Sequence, residues 1–112
     1  MRTLHIIKTC DTHDSRTEGL QNTEITRDEC CLFLFDAKSQ HSFWGLNTKQ
    51  TLWVNFVDDE NYVMESYPIF PNDLRPVKSI GKYRMAFETL DSCLFCHISI
   101  DHDKLKLGMA DA

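Results

Sequence analysis

The 112-residue chain, 42% apolar and 11% aromatic, has enough bulky side chains for one hydrophobic core and too few residues for a second, so residues 1–112 are expected to fold as a single domain. Seventeen acidic against twelve basic residues give a formal net charge of -5 with no basic stripe to neutralise phosphates, which argues against nucleic acid as a partner. The opening MRTLHIIKTCD is too short and interrupted for a signal-peptide core, no stretch approaches a membrane span, and five cysteines form an odd set. The expectation is therefore a cytoplasmic chain with reduced thiols and no membrane partner.

In chain order, Thr3 to Lys8 is β-prone. Asp14 is a capping residue type and Ser15 to Leu20 would add at most two turns, which predicts one short helix over 14–21. The run CLFLF, Cys31 to Phe35, is continuously apolar and too short for a buried helix, so it reads as a strand covered on both faces. His41 to Trp44 can pair back on that strand, with Gly45 marking a bulge or a close backbone approach. Thr51 to Val57 sets Leu52, Val54 and Phe56 against Trp53, Asn55 and Val57, the pattern of a half-buried strand. Asp58 to Asn61 supplies a hairpin turn, and Tyr62 to Tyr67 returns. After a loop broken by Pro68, Pro71 and Pro76, Lys82 to Glu88 and Cys93 to Ile100 are β-prone, and the polar segment beyond Asp101 reads as a tail that frays. The fold class is all-β, a mainly antiparallel sandwich or barrel, with one short helix.

Several separated blocks carry a resemblance. Arg16, Gly19 and Leu20 match a Glu-Arg-x-x-Gly-Leu-Met segment; Leu32, Phe33 and Phe35 match a Gly-Met-Leu-Phe-x-Phe strand. Phe43, Trp44, Asn47 and Thr48 match Phe-Trp-Met-Lys-Asn-Thr, and Leu52, Val54, Phe56, Val57 and Asp58 match Pro-Leu-Asp-Ile-x-Phe-Ile-Asp. In order and spacing these resemble the signature of the domain of unknown function 192 family, clearly over residues 12–70 and more weakly over Tyr83 to Phe87. The resemblance implies a compact β-domain with one short helix. Two departures stand out: Gly45-Leu46 replaces the family's Met-Lys, and Trp53 replaces its Asp. If those two groups pair in relatives, their joint loss avoids a stranded buried charge, and Leu46 is expected to pack on Trp53.

The FWGLNT block, residues 43–48, is the strongest candidate site. Trp44 would form a pocket wall, Gly45 a point of backbone approach, and Asn47 with Thr48 a polar rim, closed by Arg16 and Asp58. The competing reading makes Phe43 and Trp44 core aromatics and has the Asn47 side chain hold a neighbouring loop. Cys93-Leu94-Phe95-Cys96-His97 spells the attachment pattern of c-type haem, but strand-like flanks favour alternating side chains of a sheet, and no cofactor is expected. Cys10 and His13 could meet Cys93 and Cys96 to complete four metal ligands, a weaker prospect than small buried thiols. No Gly-rich phosphate loop or calcium-loop spacing is present.

The leading functional expectation is a non-enzymatic module that binds a protein or small-molecule partner through Arg16, Trp44, Gly45, Asn47, Thr48 and Asp58. The alternatives are an accessory component of a larger assembly, viral ones included, and a hydrolase using His41 or Asp58.

Overall fold

The computed structural model describes residues 2–108, and among them nine strands and one helix follow in the order β1 (Arg2–Cys10), α1 (His13–Glu18), β2 (Glu29–Ser39), β3 (Ser42–Phe43), β4 (Leu52–Val57), β5 (Val63–Ile69), β6 (Val77–Lys78), β7 (Tyr83–Thr89), β8 (His97–Asp101) and β9 (Lys104–Gly108). Seven strands form one sheet in the order β5-β4-β7-β2-β1-β9-β8, and β3 pairs with β6 in a separate ribbon. All pairings are antiparallel except β1 with β2, the pair that brackets α1. The sheet curls into a half-barrel until its two edges approach each other, where Tyr62 bridges His97 and the Val63 amide donates to the Cys96 carbonyl at 2.9 Å.

Period-2 alternation in strands apolar on both faces gives this sheet two cores. Cys31, Phe33 and Phe35 of β2 pack on one face with Val54, Phe56 and Ala86, while Cys30, Leu32 and Leu34 pack on the other with Phe87, Ile98 and Leu105. The CLFLF expectation therefore holds, but β4 is buried on both sides rather than half-buried, with Asn55 fully enclosed. Its amide makes that burial tolerable: Nδ2 donates to the Phe87 carbonyl (3.0 Å) and Thr89 Oγ1 (2.9 Å), while Oδ1 accepts from Ser66 Oγ (2.8 Å) and the Cys93 amide (3.0 Å).

Several expectations are corrected. The helix is capped by Thr12 rather than Asp14 and ends at Glu18, because Thr12 and Ser15 exchange hydrogen bonds in a capping box and Gly19 turns the chain at φ 49°. The ribbon partner of Ser42 and Phe43 is β6, not the preceding strand. Cys93 to Cys96 is a turn with Phe95 at φ 68°, so the strand begins only at His97. The polar segment past Asp101 is no loose tail over 104–108: Leu105 and Leu107 are core residues, and β9 pairs with both β1 and β8; residues 109–112 lie outside the described residues.

Gly45 seats the segment after β3. A Cβ there would fall 1.9 Å from the Phe70 carbonyl oxygen, so backbone packs on backbone as no other residue would allow. Gly45→Ala should lower the urea midpoint by the equivalent of about 2 kcal/mol, the usual scale of overpacking. Gly108→Ala, whose Cβ would meet its nearest neighbour at an ordinary 3.7 Å, serves as control, and equal shifts in both variants would contradict the steric account.

Candidate functional site

A cavity of about 300 Å³ opens between α1, the Gly19–Gln21 turn and the 42–48 segment. α1 is too short to persist alone and is tied to the sheet from both sides. Lys8 Nζ donates to Glu18 Oε1 (3.0 Å) and the Gly19 carbonyl (2.9 Å), and the Arg16 guanidinium donates to the Leu34 carbonyl (2.9 Å) while lying 5.5 Å over the Phe35 ring. Opposite, the Gly45 carbonyl accepts from the Asn72 amide (2.7 Å) and from the amide and hydroxyl of Thr48 (3.1 and 3.0 Å), and the Gly45 amide donates to the Asp73 carbonyl (2.9 Å). Asn47, at φ 55°, reaches across to the α1 side: its carbonyl accepts from the Asn22 amide (2.7 Å) and its Nδ2 donates to Gln21 Oε1 (3.3 Å).

The residues of the FWGLNT block take different places around this cavity. Phe43 is a core aromatic, edge-on to Phe33 at 4.9 Å and Phe56 at 5.6 Å between centroids. Trp44, 44% exposed, is a cavity wall. Arg16 and Thr48 also line the cavity; Gly45 and Asn47 brace it without lining it. Asp58 belongs elsewhere: its Oδ1 accepts from the Glu60 and Tyr62 amides (3.0 and 2.9 Å) and closes the β4–β5 turn. Leu46 lines the cavity while Trp53 alternates with Val54 onto the other face of β4, so the expected Leu46–Trp53 contact is absent.

The proposed metal set does not assemble. Cys10 packs on the helix-covered face and Cys93 inside the curl, on opposite faces of the sheet, while His13 sits at the cavity rim; no group of three or more potential ligands gathers among the described residues. The Cys10 sulfur instead lies 3.6 Å from Cys31 Sγ, a contact that, with burial, pushes the Cys31 thiol up. Cys30 is raised to about 12 by burial. His41 stacks on Phe35 with centroids 3.4 Å apart and shares Nε2 with the Tyr83 carbonyl at 3.0 Å; burial holds it below its ordinary value.

The residue that sequence reasoning missed is Glu88. It lines the cavity at 4% exposure, in register with Cys31 on one side and Val54 on the other. The signal was there: Ala86 and Glu88 share a face in β7, so a carboxylate stands at a core-facing position. Burial first, and the neighbouring Cys10 second, push its carboxyl up to about 8. Folding thus lifts this group from its ordinary 4.5, and the folded protein keeps a proton that the unfolded chain releases. Its contribution to stability is full below about pH 4.5 and falls as pH climbs towards 8, by about 4 kcal/mol. Urea unfolding of wild type and Glu88→Gln at pH 5 and pH 8 should show the variant gaining on wild type by that order; parallel pH profiles would contradict the assignment.

No curated protein matches the chain. It is similar to a protein of unknown function from Novosphingobium aromaticivorans DSM 12444, with 25% identity and a TM-score of 0.70 over 76% of this chain and 63% of that one. In fold it is also similar to a proposed transcription regulator from Sinorhizobium meliloti 1021, with 18% identity and a TM-score of 0.70 over 73% of this chain and 65% of that one. The chain spans less than two thirds of the length of either structure. A family model for domain of unknown function 192, described as uncharacterized ACR, matches residues 3–94, from the first strand to the turn after β7, and the chain belongs to that family.

Proposed function

We propose that this domain is a non-enzymatic binding module that takes a small organic ligand into the cavity between α1 and the 43–48 segment. The observation that carries the reading is the combination in one recess of aromatic walls, Phe33, Phe43 and Trp44, with a few enclosed polar groups, Thr48 and Glu88. That is the usual chemistry of a small-molecule site, and about 300 Å³ falls at the lower end of the usual size range. Both walls are braced by hydrogen bonds before any ligand arrives, which reduces the ordering cost of binding. The hydrolase reading finds no support in the same geometry, because His41 and Asp58 are committed to the Tyr83 carbonyl and the β4–β5 turn, and neither lines the cavity.

The test is a set of small aromatic fragments, benzylamine, benzyl alcohol and benzoate, titrated against the labelled full chain by amide chemical-shift perturbation. Shifts are expected to concentrate at Leu20, Phe33, Leu46 and Thr48, with affinities on the order of 1 mM for probes of this size. Trp44→Ala should abolish them while leaving the unfolding midpoint nearly unchanged, since the ring is substantially exposed. Asn47→Ala should lower both, because it removes a brace. If none of the fragments perturbs these residues, the reading fails.

A further inference from the structure

Glu65, half-buried on β5, and Glu88, buried on β7, are treated by the protein in opposite ways. Glu65 receives four donors: the hydroxyls of Tyr67 (2.5 Å) and Tyr83, and the amides of Ile80 (2.7 Å) and Gly81 (2.9 Å). Burial alone would raise it, but those donors hold it below its ordinary value. It is a structural carboxylate, fully satisfied. Glu88 is more deeply enclosed and, among the described residues, has no hydrogen bond to its side chain and no ion pair. No sealed side-chain oxygen among the described residues lacks a partner, so the Glu88 carboxyl keeps its sliver of exposure, and that exposure is to the cavity it lines.

We propose that the cavity selects a protonated amine carried on a small apolar body, with Glu88 as the counter-ion at its floor and Trp44, Phe43 and Phe33 as the aromatic wall around the cation. This rests on the binding reading above and names its ligand class. A buried carboxyl without a donor is costly to ionise, and an entering ammonium supplies both the opposite charge and the missing hydrogen bonds. Aromatic faces add cation–π attraction in the same desolvated space. The neighbouring charges leave the position open. Arg16 is held by the Leu34 carbonyl and the Phe35 ring, Lys8 is turned to Glu18 and Gly19, and His13 stands at the rim. The groups that face Glu88 from the sheet are the thiols of Cys10 and Cys31 and the apolar Val54. At neutral pH the carboxyl holds a proton, so the amine displaces that proton to solvent as it binds.

Calorimetric titration of the full chain at pH 7 with benzylamine, benzyl alcohol and benzoate, in phosphate and in HEPES, separates the outcomes. The expected result is benzylamine at least about tenfold tighter than benzyl alcohol, with close to one proton released per amine bound. Glu88→Gln should erase the preference for the amine and the proton release that accompanies it. Equal binding of amine and alcohol, a preference for benzoate through Arg16, or no proton release would overturn the amine reading and leave the cavity reading standing. Absence of binding by all three probes would overturn both. Should Glu88→Gln fold poorly, the proton count measured on wild type decides alone.

Discussion

The approach of the Gly45 backbone to the Phe70–Asp73 turn is the constraint on which the geometry of the site depends. With no Cβ in the way, the Gly45 carbonyl gathers three donors and its amide a fourth partner, which fixes the chain direction on both sides of it. Phe43 then packs against the aromatic cluster, and together with Trp44 it lines the cavity. Asn47 completes the arrangement, because an asparagine tolerates the left-handed backbone at φ 55° and still has an amide to send to the α1 side. The six residues 43–48 are thus a brace that carries one wall, rather than a binding loop free to reshape.

A sheet that is apolar on both faces has a particular problem with polar side chains, since neither face offers water. Full burial of a Phe such as Phe33, Phe56 or Phe87 contributes about 2–3 kcal/mol, so the strands can carry a few polar exceptions, each of which must be satisfied or be left for another purpose. Asn55 is the satisfied exception, clamping β4 to β5, β7 and the Cys93 turn. Glu65 is another, tying β5 to the turn before β7. Glu88 departs from that pattern and faces a cavity.

Much of this fold is legible in the residues, and the failures have identifiable causes. CLFLF reads correctly because a five-residue apolar run has few options, and the hairpin around Asp58 because its turn chemistry is local. The helix cap was misplaced because Asp11, Thr12 and Asp14 are all capping residue types standing close together, and the Thr12–Ser15 capping box decides among them. The partner of Ser42–Phe43 lies more than thirty residues away in β6, beyond any local pattern. At the site, Trp44, Thr48 and Arg16 were visible from composition and order, whereas Asp58 shared their blocks in sequence but not their place in space. Glu88 was overlooked because a single acid in a β-prone run looks like the solvent face, and only the two cores show that both faces are covered from Ala86 to Thr89.

The energetics of Glu88 run against folding rather than with it. An apolar residue at the same register position, between Cys31 and Val54, would remove the desolvation cost and extend the core that Phe33 and Ala86 already form. The fold has the means to satisfy a buried carboxylate, as the donors around Glu65 show, yet none of those means is applied here. Under the binding proposal, a polar group that destabilises the empty protein and faces a cavity walled by aromatic rings is a free-energy difference that a cationic occupant would release. The hydrogen bonds around Gly45, Asn47 and Lys8 tie both walls of that cavity to the rest of the fold.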